Sequence, residues 1–153
     1  MKRPITWYVV ADGGRARIVQ KRARQGDRPE AFDTLRELVS ADLHHATHEF
    51  GTERPGRTRE SATSGRHAVQ PRQDLHRAEK QNFAREVAAL LSEASQRDEF
   101  DTLVLVAPAH VLSDLRQALD GPTQRKITVQ LQKDLTKVPN ADLAKHFTGL
   151  SGD

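Results

Sequence analysis

The chain has 153 residues and a mass of 17.1 kDa, with 36% hydrophobic residues, 29% charged residues and a formal net charge of +3. This length suits one domain with a single core and leaves little room for a second. The absence of cysteine excludes disulfides, thiol nucleophiles and thiolate metal sites, and it fits a reducing compartment. The longest apolar run, Leu103–Ala109, is far shorter than the roughly 18 residues of a membrane helix. The N-terminal residues show no secretory cleavage pattern, so we expect a cytoplasmic protein without a membrane span.

The first forty residues predict three strands. Thr6–Ala11 is rich in β-branched and aromatic residues, and Asp12 and Gly13 separate it from a second strand-like run, Ala16–Gln20. Asp-Gly between two such runs indicates a β-hairpin. Phe32–Val39 has the length of a strand but an apolar spacing that also suits a helix, and we favour a third strand.

The segment 41–74 interrupts this pattern. It has no apolar period, and it carries three glycines, two prolines and equal numbers of Lys/Arg and Asp/Glu, five of each. A loop of this length in a compact domain is uncommon and is usually functional or mobile. We therefore predict a single domain, 1–153, with one long mobile polar loop that contacts a partner.

Helix and strand patterns alternate after this segment. The apolar spacing from Phe83 to Ala94 predicts a helix that Asp74 can cap, and the apolar run Leu103–Ala107 predicts a strand buried on both faces. A helix opened by Pro108, a strand at Ile127–Leu131 and a short helix capped by Asn140 follow. The order β-β-β, loop, α-β-α-β-α predicts an α/β domain, a mixed β-sheet with helices on its faces.

One stretch of the long segment resembles a nucleotide-binding loop. Gly51–Thr58 reads G-x-x-x-x-G-Arg-Thr, one residue type from the signature that cradles phosphates. That mechanism needs free backbone N–H groups, a lysine and a buried strand before the loop. Here Pro55 has no N–H, Arg57 replaces the lysine and the preceding residues are HHATHEF. We therefore expect no nucleotide cofactor.

Other catalytic patterns are equally absent from the sequence. The histidines at 44, 45 and 48 have no second ligand cluster at metal spacing, so we expect no metal and no cofactor. Asp12 follows one strand and Asp101 precedes another, and each either shapes a turn or holds magnesium. No catalytic residue is assigned, and His67 is the one candidate if the protein is a hydrolase.

Several stretches, taken together, resemble the bacterial host-attachment protein family over nearly the whole chain. They are WYVVADGGRARIV, RPGRTRES, SGRHAVQPR, FAREVAALL, FDTLVLVAPAHVLSDLRQAL and KDLTKVPNADLAKHF. That family is similar to the middle domain of archaeal and eukaryotic peptide-chain release factors, which implies an RNase H-like α/β fold here. In release factors the loop before the first long helix carries a Gly-Gly-Gln tip that enters the peptidyl-transferase centre.

The corresponding stretch in this chain is Ser64–His67. Gly65 matches one glycine of the tip, whereas the second glycine and the glutamine are absent. The resemblance therefore implies contact between the loop and the ribosome, or transfer or ribosomal RNA, rather than hydrolysis of peptidyl-tRNA. The residues expected to make this contact are Arg54, Arg57, Arg59, Gly65, Arg66, His67 and Arg72.

Two alternatives to this RNA-binding interpretation stay open. The family name favours a protein that acts in attachment to host cells through protein–protein interaction, and without a signal peptide such a role is more easily indirect. The RNase H-like sheet favours a hydrolase or nuclease that acts on RNA, using His67 or a metal, but the sequence shows no carboxylate set for two-metal chemistry.

Overall fold

A computed structural model of the chain describes residues 3–22, 31–41 and 55–147, with 55–74 and 76 described by their backbone alone. The helices and strands in chain order are β1 Thr6–Ala11, β2 Arg15–Lys21, β3 Phe32–Val39, α1 Pro55–Gln96, β4 Thr102–Ala107, α2 Ala109–Ala118, α3 Gly121–Gln124, β5 Ile127–Gln132 and α4 Asn140–His146.

The five strands form one sheet in the order β3-β2-β1-β4-β5. β1 pairs antiparallel with β2, and β2 pairs antiparallel with β3, as expected for strands joined by short connections. β4 pairs parallel with both β1 and β5, because the helices α1 and α2 carry the chain back between them. The mixed sheet confirms the predicted α/β class, and β3 confirms the third strand that the apolar period left ambiguous.

One face of the sheet packs against α1 and α2. Alternation along β1 directs Trp7 and Val9 to this face, where the ring of Trp7 stacks on Phe100 with 4.8 Å between centroids. The apolar period predicted for the helix is the packed one: Phe83, Val87 and Leu91 are all buried against the sheet. This face therefore contains the larger part of the core.

The opposite face packs against α4 and the segment that leads into it. Tyr8 and Val10 of β1 point to this side, together with Val104 and Val106 of β4. Three aromatic rings close the cluster, with centroid distances of 5.0 to 5.4 Å; they belong to Tyr8, Phe32 and Phe147. Because β4 contributes to both clusters, it is buried on both faces, as its continuous apolar run predicted.

The structure differs from the predicted loop over 41–74. Residues 55–74 belong to α1, which spans 42 residues, and Asp74 lies inside the helix rather than at its start. Loop prediction rested on the glycines, the prolines and the lack of an apolar face, but Arg, Gln, Ala and Glu between them are good helix formers. The later turns of α1 are already packed on the sheet, so residues 55–74 extend an existing helix and avoid the free-energy cost of forming a new helix nucleus. Residues 42–54 of the predicted loop lie outside the described residues.

Candidate functional site

α1 passes the end of the sheet at which the parallel strands β1, β4 and β5 have their C-termini. The helix leads into β4, so it runs antiparallel to that strand, and its earlier turns reach the carboxyl edge. Lys80 marks the crossing: a Cβ added to Gly13, just after β1, would lie 3.1 Å from three side-chain carbons of Lys80. The helix continues 25 residues toward its N-terminus from this point, about 37 Å at 1.5 Å per residue.

We call residues 55–80 the polar half of α1 and residues 81–96 its anchored half. Among the described side chains of the polar half, at 75 and 77–80, none is buried, and Leu75 is 62% exposed. Among the side chains of this helix that the structure describes, the first buried one is Phe83. The described side chains of the two halves therefore differ in burial although the halves form one continuous helix.

Most of the predicted contact residues lie in the polar half. Arg54 lies outside the described residues. The remaining residues, of which the structure describes the backbone alone, are helical: Arg57, Arg59, Gly65, Arg66, His67 and Arg72. Ser64–His67 accordingly lies within a helix and not at the tip of a loop, so the expected likeness to a release-factor tip does not hold for this stretch.

The helix gathers positive charge that the predicted loop did not have. Residues 55–80 carry six Lys/Arg against three Asp/Glu, because the acidic residues at 42, 49 and 53 precede the helix while Arg77 and Lys80 join it. Arg77 and Lys80 are exposed. Positions 59 and 77 are 18 residues apart, five full turns, and 66 is about two turns from 59, so the three arginines follow one side of an ideal helix.

Asp12 shapes the hairpin turn. Its Oδ1 accepts hydrogen bonds from the backbone N–H groups of Gly14, at 2.8 Å, and Arg15, at 2.7 Å. Its Oδ2 is 3.2 Å from the hydroxyl of Thr136, which joins the turn to the segment after β5. Of the two roles left open for this carboxylate, the structure shows the turn-shaping one.

Asp101 has a comparable backbone role at the opposite edge. Its carboxylate accepts a hydrogen bond of 2.7 Å from the N–H of Ile5, before β1. Asp12 and Asp101 lie at opposite ends of parallel strands, so they cannot share one metal ion. No group of three His, Cys, Asp or Glu suited to a metal occurs in the part of the chain that the structure describes.

Arg17 is an anchoring residue that the sequence analysis missed. It stands on β2, and its guanidinium donates to Asn140 Oδ1 at 2.9 Å, to the carbonyl of Thr136 at 2.9 Å and to the carbonyl of Val138. Asn140 in turn donates to Thr34 Oγ1 at 2.7 Å, so its side chain ties α4 to β3 instead of capping the helix as predicted.

Burial lowers the pKa of Arg17, and the nearby carboxylate of Glu37 opposes this shift. An arginine stays protonated at any physiological pH, so these three bonds keep their charge assistance. Sequence offered one signal for this clamp, an arginine between Ala16 and Ile18 on a strand, but the carbonyls that it binds come from the distant segment 134–140.

A pocket of about 160 Å³ lies beside this clamp. Arg15, Arg17, Glu37 and Thr136 line it together with apolar residues of the sheet. Ligand pockets commonly enclose about 300 to 1,000 Å³, and this one is smaller. The polar cluster around Arg17 therefore serves the structure of the domain, and the basic polar half of α1, in which Arg77 and Lys80 are exposed, is the better candidate for recognition.

No helix in the described part of the chain is long and apolar enough to cross a membrane.

Comparison with known proteins identifies the family of this chain and solved structures to which it is similar. No curated protein matches this sequence. Among solved structures, the chain is similar to the archaeal translation termination factor aRF1, with a TM-score of 0.46 and 12% identity. The match covers 93% of this chain but only 37% of that factor. The family model described as "Protein required for attachment to host cells" matches residues 7–147. The chain therefore belongs to the host-attachment protein family.

Proposed function

We propose that this protein binds RNA, on the ribosome or as transfer RNA, through the polar half of α1 and without catalysing a reaction. The observation that carries the proposal is the basic helix that continues for 25 residues on the N-terminal side of Lys80, which itself lies beside Gly13 at the end of β1. Such a surface suits phosphates, because arginine binds them through several N–H donors and the released counterions favour association. The proposal requires a cytoplasmic location.

A helix suits RNA in a particular way. The deep groove of an RNA duplex is too narrow for most side chains to read, so proteins contact its phosphates and 2′-hydroxyls or its unpaired bases. The arginines at 59, 66 and 77 follow one side of an ideal helix over about 27 Å, which is long enough to meet several successive phosphates. We assign phosphate contact to Arg77 and to the arginines predicted from the sequence, Arg54, Arg57, Arg59, Arg66 and Arg72, with Gly65 and His67 nearby.

Co-sedimentation with ribosomes over a range of salt concentrations tests the proposal. Wild type is compared with the triple variant Arg59→Ala, Arg66→Ala, Arg77→Ala, which removes the three arginines on one side of the helix. Each lost phosphate contact lowers the slope of log affinity against log salt by about 0.7 to 0.9, so we expect the triple variant to lose about two to three units of slope.

A second triple variant is the matched control. Arg97→Ala, Arg116→Ala, Arg125→Ala removes the same charge from exposed residues outside the polar half, and we expect it to bind nearly as wild type does. Equal losses in both triple variants would mean that net charge alone drives binding. Absence of wild-type binding to ribosomes and to transfer RNA at low salt would overturn the proposal.

A second candidate function rests on the family description. Membership in a family described as required for attachment to host cells favours a role in attachment through protein–protein interaction. The two candidates separate by location: detection of this protein on the outer surface of intact cells supports direct attachment, whereas recovery with cytoplasmic ribosomes supports RNA binding with an indirect effect on attachment.

A further inference from the structure

The two outer edges of the sheet differ in charge. β3, at one edge, carries Asp33, Arg36 and Glu37 within eight residues. Arg22 holds Asp33 in a two-point ion pair, with donor–acceptor distances of 2.5 and 3.0 Å, and the pairing of β2 with β3 contains a register shift. Charged side chains and bulges are the usual means by which proteins keep an exposed edge from pairing with another chain.

β5, at the other edge, has no charged side chain, although its pairing with β4 also contains a register shift. Its six residues, Ile127–Gln132, include no charge and no proline. It pairs with β4 on one side, and among residues 3–22, 31–41 and 55–147 no strand pairs with its other side. In a parallel ladder alternate residues direct their N–H and C=O groups away from the partner, so β5 presents unpaired backbone groups along its outer edge.

The side chains of β5 suit pairing with a second copy of the same strand. Thr128, Gln130 and Gln132 are exposed, while Val129 and Leu131 are half-buried on the face that holds Tyr8 and Phe147. When β5 pairs antiparallel with its own copy, residues directly opposite each other lie on the same face of the sheet. Their positions in the sequence must therefore differ by an even number.

One antiparallel register satisfies this condition without using Ile127, which packs against the cluster on the other face of the sheet, or the charged Lys133. Leu103 is opposite Ile127 and Val104 is opposite Val129, so the register shift leaves Thr128 without a direct partner on β4, and Val129–Gln132 is the regular run. Pairing about Val129 would include Ile127, and pairing about Leu131 would set Val129 opposite Lys133. Pairing about Gln130 sets Gln130 opposite its own copy, Val129 opposite Leu131 twice, and Thr128 opposite Gln132 twice. Every pair then matches polar with polar or apolar with apolar.

We propose that the outer edge of β5 pairs antiparallel with β5 of a second copy, across a two-fold axis at Gln130, to give a continuous ten-stranded sheet. The partner is a second copy because the strand is complementary to itself and carries no charge to select another sequence. A single strand pair is a small interface, so the dimer is weak and needs a high protein concentration to form.

The experiment is sedimentation velocity of the full chain at high protein concentration. Two variants are compared with wild type, one with a positive charge and one with a negative charge in place of Gln130, the residue on the two-fold axis. Gln130→Lys sets two lysines opposite each other and Gln130→Glu sets two glutamates, so each variant alone is expected to be monomeric. An equimolar mixture of the two is expected to dimerise at least as well as wild type, because each pair is now Lys opposite Glu. Gln117→Lys, at an exposed position on α2, is the control with the same change in charge, and it should dimerise as wild type does.

A cysteine provides a second readout of the same register. The chain has no cysteine, and residues directly opposite in an antiparallel pair have Cβ atoms about 4.5 to 5.5 Å apart, close enough for a disulfide after small shifts. Oxidised Gln130→Cys should run as a covalent dimer, while oxidised Gln117→Cys should not. A monomeric wild type, or a mixture of the two charge variants that stays monomeric while wild type dimerises, would overturn the proposal. RNA binding by the polar half of α1 does not enter either measurement.

Discussion

The two halves of α1 have the same secondary structure and different physical bases. In the anchored half Phe83, Val87 and Leu91 are buried against the sheet, and this burial holds the helix in place. In the polar half none of the described side chains is buried. This half extends the helical turns of the anchored half, so its formation does not require a new helix nucleus. The comparison indicates that the anchored half stabilises the domain, and under the proposed function the polar half presents charge to RNA.

The same substitution in the two halves tests this difference most strongly. Leu91 is fully buried, and Leu91→Ala should lower the free energy of unfolding by about 2 to 5 kcal/mol, because it removes apolar contacts and leaves a cavity. Leu75 is 62% exposed, and Leu75→Ala should change it by less than about 0.5 kcal/mol. Urea unfolding of both variants gives the two values. Similar losses would mean that the polar half also packs on the body.

The apolar residues of this chain made most of the fold predictable. Three apolar patterns predicted buried side chains: the alternation in Thr6–Ala11, the continuous run Leu103–Ala107 and the helical spacing after Phe83. The structure has a strand, a strand and a helix at these places. The polar half could not be found in this way. Nothing in it follows an apolar period, and the glycines and Pro71 indicate a loop locally although the helix continues through them.

The hydrogen bonds of Arg17 could not be predicted from the sequence, for a different reason. Two of its three acceptors are backbone carbonyls, of Thr136 and Val138, and any residue type supplies a carbonyl. The third acceptor, Asn140, resembled a helix cap by its position alone. Contacts between a side chain and a distant backbone therefore leave no pattern of residue types to read. The contact residues on α1 were chosen from the sequence by charge, and their role stays a prediction.

Substitution of Arg17 measures how far polar contacts hold the body together. Arg17→Gln removes the charge and most of the donors that bind the segment 134–140. Hydrogen bonds from a charged donor contribute roughly 1.5 to 3 kcal/mol each, and partial exposure reduces the total, so we expect a loss of about 2 to 3 kcal/mol. Urea unfolding gives the loss, and amide hydrogen exchange should quicken first in 134–140. Arg15→Gln, on the same strand but exposed, is the control. A loss below about 0.5 kcal/mol would contradict the role of Arg17 as a clamp.

Substitution of Pro71 has the smallest expected effect, and it tests whether the polar half of α1 unfolds separately from the rest of the domain. A proline inside a helix has no N–H for the carbonyl four residues earlier, here that of His67, and it costs about 3 kcal/mol relative to alanine. Pro71→Ala should therefore increase helix content by far-UV circular dichroism and slow amide exchange in residues 55–74. The midpoint of global unfolding in urea should not move, because the gain is confined to a half whose described side chains are all unburied.

The neighbouring substitution Gln70→Ala is the control for Pro71→Ala, since glutamine and alanine differ little in helix propensity. It should leave both helix content and exchange nearly unchanged. If Pro71→Ala instead raised the global stability as much as it slowed local exchange, the two halves of α1 would unfold as one cooperative unit. The polar half would then belong to the folded body, and a purely recognitional role for it would be wrong. If the two measurements separate, helix content in the polar half can be altered without changing the stability of the sheet, which also allows RNA binding to be measured against helix content alone.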